Sequence, residues 1–227
     1  MATRPGEPYI AEALDSIAAQ TQRADHIIVV VNGPGAVDGA FASTLARDFP
    51  EVEVRALERP GMSGALAHAL ADVSTRYVAF LDADDLWEPD KQRRQLAHLA
   101  EDPSLHAVSC RTVNFRRDDT GVTADENSAV ARVFSATTFR TEAFTRYGLP
   151  DPAADHFAWL YRWWASAHTA GIVAAGEDFV GLRRRVHAAN GWVAEHAKGR
   201  SVLLAELRRI ERERRAAQAG PRHAATP

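Results

Sequence analysis

The chain has 227 residues, 46% of them hydrophobic and 25% charged, with a formal net charge of -3. This is the composition of a soluble globular protein with one large α/β domain or two small ones, and it lacks the global basic field that nucleic-acid binding needs. A single cysteine, Cys110, excludes an intramolecular disulfide and fits a reducing compartment; with no signal-peptide core and no apolar run near the roughly 20 residues of a membrane helix, the expected location is the cytoplasm.

Taken in order, MATRPGE (1–7) contains no apolar strand. PYIAEALDSIAAQ (8–20) places Ile10, Leu14 and Ile17 at spacings of four and three, which makes one helix face. HIIVVV (26–31) is a continuous β-branched run and predicts a buried parallel strand, ended by the turn signal Asn32-Gly33-Pro34-Gly35. A helix is expected over 40–49, an alternating strand over 52–56 and a small-residue helix over 61–72. YVAFL (77–81) predicts the next strand, and Pro89 opens a helix running to about 101. Strand and helix thus alternate, which argues βαβ units around a parallel sheet.

The second half is less regular. A strand is expected over 105–116, a polar loop over 121–132, a helix over 139–147 and an aromatic-rich segment over 155–170. A strand over 176–187 ends in basic residues. Residues 201–219 form an amphipathic helix with a Glu211–Arg215 i,i+4 pair, and a tail follows. We read residues 1–200 as one domain and 201–227 as a helix with its tail. The basic residues of that helix could dock on an anionic membrane surface or on a second copy, although a solvated face explains them as well.

The organising stretch is YVAFLDADDLWEPDK (77–91). Its strand delivers Asp82, Asp84 and Asp85 within four positions. Ligands of open α/β sheets bind at the carboxyl ends of strands. Clustered carboxylates repel one another and are costly to bury, so a hard divalent cation with oxygen ligands belongs among them.

These pieces resemble family 2 glycosyltransferases of the GT-A fold. The resemblance runs through PYIAEALDSIAAQT (8–21), IIVVVNGP (27–34), PGMSGALAHAL (60–70) and YVAFLDADDLWEPDKQRRQL (77–96). It continues in FSATTFRTEAFTRYG (134–148), ADHFAWLYR (154–162) and RRVHAAN (184–190). It implies a mainly parallel, Rossmann-like central sheet flanked by helices, with the relatives' first strand missing here and a C-terminal helix added. It also implies inverting transfer of a sugar from a UDP- or other NDP-sugar donor to an acceptor hydroxyl, with Mn2+ or Mg2+ as cofactor. By the same resemblance Asp84 ligates the metal and Asp82 serves metal and ribose. Asn32 stands where relatives carry an acid that reads the base, and Arg185 and His187 match a late RxH motif near the diphosphate. Asp155 matches the second acid of an ED motif and is the candidate base, with Trp159 four positions on. The bland readings stay beside these: Asn32 as a turn residue, Asp155 as a helix N-cap, and Trp159, Trp163 and Trp164 as core. In relatives the strand missing here lies centrally in the sheet; either the chain begins further upstream or it is an incomplete relative. The rival functions are a catalytically impaired nucleotide- or sugar-binding relative and a nucleotidyltransferase, which would want a glycine-rich, lysine-bearing loop that residues 1–7 do not provide.

Overall fold

Val29, Val30 and Val31 have no exposed surface. Each such side chain contributes about 1.5–3 kcal/mol by leaving water. They belong to strand β2 (Ile27–Asn32), the middle of a parallel three-stranded sheet in the order β1-β2-β3, with β1 at Ala2–Thr3 and β3 at Val52–Leu57. The computed structural model describes residues 1–118, 121–124, 129–130, 132–150, 158–187, 208 and 212. Helix α1 (Ile10–Ala18) buries Ile10, Ala13, Leu14 and Ile17, the face that the spacing predicted. Helices α2 (Ala40–Asp48) and α3 (Met62–Leu70) follow β2 and β3.

A second sheet has seven strands and is mixed. Its main path is β4-β9-β6-β10-β5: β4 (Tyr77–Ala79), β9 (Thr137–Arg140), β6 (Ala107–Asp118), β10 (Ala174–Arg185) and β5 (Leu86–Trp87). Strands β7 (Gly121–Ala124) and β8 (Ala129–Val130) pair with β6. Only the β6·β10 ladder is parallel. Helix α4 (Lys91–Glu101) packs on β6 and β9, and α5 (Glu142–Tyr147) and α6 (Ala158–Thr169) complete the layer. Phe80, Phe134, Phe139, Phe144, Trp159 and Trp163 pack together there as one aromatic core. The tryptophans that could have formed a sugar-stacking surface are thus core residues: Trp159 and Trp163 are buried, and the Trp163 indole donates to Gly148 O at 2.7 Å.

Three expectations change. The first strand is present as two residues: Ala2 and Thr3 pair with Val30 and Val31 of β2. The helix expected over 139–147 begins only at Glu142, because Thr137–Arg140 bridges β4 and β6 as a strand. The loop expected over 121–132 contains β7, which pairs with the far end of β6, and β8, which pairs with Arg111 and Thr112 in its middle. The C-terminal helix and tail fall outside the described residues, except for Arg208 and Arg212, both helical and exposed.

Candidate active site

The acids sit on a turn whose shape is set by strands on both sides. Asp85 N donates to Asp82 O at 3.1 Å, closing the turn after β4. Next, β5 pairs antiparallel with β10, Trp87 opposite Leu182 and Leu86 opposite Arg183. Glu88 N donates to Gly181 O at 3.0 Å. Trp87 is pinned twice, its backbone N–H to Ser16 Oγ at 3.2 Å and its indole N–H to Ser135 O at 2.8 Å. Gln20 of the α1 end bonds Glu88 O at 2.8 Å and receives Gln92 N at 3.1 Å. The loop is thus tied to α1, β10 and α4.

Five ionisable side chains converge there: Asp84, Asp85, His187, Arg185 and Glu12. His187 Nε2 lies 3.1 Å from Asp84 Oδ2. Arg185 N donates to Asp85 Oδ1 at 2.9 Å, its Nε to Asp84 O at 2.9 Å, and its guanidinium to Glu12 Oε2 at 3.0 Å. That guanidinium is sandwiched by aromatic faces, 4.2 Å from the Tyr9 ring centroid and 4.7 Å from that of Phe115. The Tyr9 ring also packs on His187 at 4.9 Å. Asp85 is 2% exposed, and burial, reinforced by the Asp82 and Asp84 charges, pushes its carboxyl well above the usual carboxylate range. Asp85 therefore works inward, as an anchor for β10, whereas Asp84 and His187 are only partly buried.

Asn32 ends β2. Its Nδ2 donates to Thr3 O at 2.9 Å, and its Oδ1 accepts from Gly61 N at 2.9 Å. Gly61 has φ +138, a conformation that side chains rarely adopt. A carboxylate has no donor for Thr3 O, so the amide links β1, β2 and the start of α3 in a way that an acid does not.

The sequence pattern described as Glycosyl transferase family 2 matches residues 1–165. The chain belongs to glycosyl transferase family 2. Among similar proteins, an uncharacterized glycosyltransferase of Haemophilus influenzae is 26% identical over 120 residues, 52% of this chain and 45% of its own length. Glycosyltransferase GlyA of Streptococcus pneumoniae is 35% identical over 88 residues, 37% of this chain and 12% of its own. The chain thus spans under half the length of these curated relatives. Among solved structures, the mannosyltransferase PcManGT of Pyrobaculum calidifontis, in complex with GDP-Man and Mn2+, matches 93% of this chain and 63% of its own. Its TM-score is 0.67 and its identity 21%. S. aureus TarS 1-349 with UDP-GlcNAc matches 85% and 60%, with TM-score 0.61 and 15% identity. The fold is that of GT-A glycosyltransferases.

Within this family 2 chain the structure brings Asp84, Arg185 and His187 together and places Asn32 at the neighbouring strand end. Asp155 lies outside the described residues. No group of three or more His, Cys, Asp or Glu side chains forms a metal cluster among the described residues. The Asp84 carboxylate suits Mn2+ or Mg2+, which fill their shells with phosphate oxygens and water when few protein ligands are present, and the His187 imidazole suits Mn2+ better than the harder Mg2+. Sequence reasoning missed Glu12 and Tyr9. Both lie in the segment that carried the resemblance, but only the fold shows that they meet Arg185. Among the described residues no helix is long and apolar enough to cross a membrane.

Proposed function

We propose that this chain is a glycosyltransferase that moves a sugar from a nucleotide-sugar donor to an acceptor hydroxyl, with inversion at the anomeric carbon. The observation that carries this reading is the Asp84–His187 pair at 3.1 Å, held by buried Arg185 at the carboxyl end of β10. Two solved neighbours, bound to GDP-Man and to UDP-GlcNAc, support a nucleotide-sugar donor.

In this reading Asp84 and His187, with Asp82 beside them, hold Mn2+ or Mg2+. That ion supplies Lewis-acid neutralisation of the diphosphate leaving group. Arg185 adds positive charge behind the acid turn and fixes the Asp84 carbonyl. Asn32 shapes the pocket for the base at the end of β2. Asp155 takes the proton of the acceptor hydroxyl as its oxygen bonds to the anomeric carbon on the face opposite the departing diphosphate. The acceptor is set by segments beyond the acid turn.

The test is transfer and donor hydrolysis with GDP-mannose and UDP-GlcNAc in Mn2+. Asp84→Ala should lower turnover by about 10²–10³-fold, the rate equivalent of the several kcal/mol that a positioned cation supplies. A chelator should do the same to the parent protein. Turnover that survives both sinks the metal assignment. Nucleotide binding without any turnover would favour the impaired relative.

A further inference from the structure

Helix α1 touches the site at both of its ends. Its C-terminal half holds the acid turn through Ser16 and Gln20, which bond Trp87 N and Glu88 O. Its first turn reaches the other side, where β10 ends. Tyr9 is the N-cap of α1 and Glu12 stands one helical turn on, so their side chains are neighbours on the helix surface. They meet on Arg185. Glu12 Oε2 accepts from the guanidinium at 3.0 Å, and the Tyr9 ring covers one face of it at 4.2 Å while Phe115 of β6 covers the other at 4.7 Å. Tyr9 is itself anchored: its backbone N–H donates to Glu7 Oε1 at 3.4 Å, and Glu7 is buried and bonded to Arg4.

Arg185 stands between the two side chains that the chemistry needs. Its Nε donates to Asp84 O at 2.9 Å. His187 follows on the same side of the extended chain, which Val186 N continues by donating to Phe115 O at 2.9 Å. The Tyr9 ring packs on His187 at 4.9 Å as well as on Arg185. One ring therefore spans both residues, and the guanidinium ties them to the backbone of Asp84. The His187 and Asp84 side chains keep 14% and 25% of their surface, so burial alone does not fix their 3.1 Å approach. An acid in the first turn also suits the helix dipole, but that role does not require contact with β10. Asp85 takes the Arg185 backbone N–H and Asp84 offers its carbonyl, whereas Glu12 brings a carboxylate to the buried guanidinium itself, which offsets the cost of burying that charge.

We propose that Glu12 and Tyr9 are positioning residues of the active site: by clamping Arg185 from α1 they hold His187 against Asp84. This builds on the role proposed above for Asp84 and His187 in holding the cation, yet the clamp can be read without metal.

The full chain is followed by the NMR signal of the His187 ring Cε1–H, assigned by its loss in His187→Asn. In metal-free protein at fixed pH, Glu12→Ala should displace that signal beyond its linewidth, because the ring shifts against Tyr9 and Asp84. Tyr9→Phe, which keeps the ring, should leave it near the parent position. Glu12→Gln, which keeps an acceptor at the same reach, should lie closer to the parent than Glu12→Ala. If Glu12→Ala does not fold, Glu12→Asp, with its carboxylate one methylene short of Arg185, should show the same displacement to a smaller degree. Mn2+ uptake, read from the EPR signal of the free ion, should weaken by about 10-fold or more in Glu12→Ala, the scale for losing a group that orients a metal ligand. It should stay near the parent's in Arg117→Ala, which removes only the other partner of Glu12. A His187 signal that stays in place in every folded Glu12 variant overturns the proposal and leaves Glu12 a stabilising residue of α1. An Arg117→Ala variant that matches Glu12→Ala in both readings also overturns it, since the effect would then run through β6 and not through Arg185. A parent that takes up no Mn2+ counts against the metal reading of Asp84 and His187 and not against the clamp, which the His187 signal decides by itself.

Discussion

Arg185 and Lys91 show two solutions for a buried cation. Arg185 is 2% exposed and has an ion partner, Glu12, besides Asp84 O and two aromatic faces. Arg185→Met should destabilise the protein by about 2–3 kcal/mol, because Asp84 O loses its donor while Glu12 keeps Arg117 at 3.3 Å. Arg185→Lys should recover little, since an ammonium cannot span the same fork. Urea midpoints at unchanged m-value read both. Lys91 has no exposed surface. Its Nζ donates to Gln95 Oε1 at 2.8 Å and lies 4.3 Å from the Trp87 ring centroid. Burial lowers its ammonium from 10.5 to about 8, with the nearby Cys110 opposing slightly. The folded-state value is below the unfolded one, so this group's stability contribution is present above pH 10.5 and is lost as pH falls through 8. At pH 7 the loss is on the order of 3 kcal/mol, from 1.36 kcal/mol per unit. Lys91→Met should therefore be neutral or stabilising at pH 7, since Gln95 Oε1 retains the Thr138 hydroxyl at 2.7 Å. The stability of the parent relative to the variant should fall on acidification from pH 10 to 8 and stay flat below pH 7. A parent no less stable than the variant at pH 7, with no trend in that difference, refutes the assignment. The buried Cys110 thiol, pushed up by burial, is common to both proteins and largely cancels.

Strand β10 is the element that carries the site, and its register explains why. It shifts against β6 between Gly176 and Val180 and again between Val180 and Leu182, so Gly181 falls at an irregularity where its carbonyl can reach Glu88 N. A Cβ at Gly181 would lie 2.6 Å from Cys110 Sγ and 2.9 Å from the Phe179 ring. Gly181→Ala should cost about 1–3 kcal/mol by overpacking and should displace β5, the strand that shapes the acid turn. Chemical denaturation gives the cost, and a fall in donor affinity larger than that of an exposed control such as Arg183→Ala gives the displacement. Elements with strong local patterns were readable: the β-branched run of β2, the spacing of α1, and the apolar strand that stops at Asp82. Strand β9 was not, because Thr137–Arg140 runs straight into Glu142–Tyr147 and only pairing with β4 and β6 separates the two. Strands β7 and β8 were hidden for the same reason: they lack apolar alternation and exist as partners of β6. At the site Asp84, Arg185 and His187 were legible from their motifs. The Glu12–Arg185 pair was not, since its partners stand 173 positions apart and only the fold brings their two segments together.

The division of the molecule into two sheets should appear in its dynamics. The β1-β2-β3 sheet joins the seven-stranded sheet through a shared hydrophobic core that includes Val29, Val31, Leu81, Trp87 and Leu182, and not through a ladder among the described residues. On its open side β2 is covered by only two residues of β1. The larger sheet, by contrast, has its central strand β6 flanked by β9 and β10 and sealed by the aromatic core. Opening free energies follow the number of buried contacts and ladder bonds that a unit must give up. The smaller sheet should therefore exchange its amides through a sub-global opening, at a free energy below that of global unfolding. Native-state hydrogen exchange in low denaturant checks this. The amides of Val29 and Val31, which face β3, should share one isotherm that joins the global one only at higher denaturant, while Val108 and Thr138 follow the global isotherm throughout. A single isotherm for all four would mean that helix packing couples the sheets as tightly as hydrogen bonds do.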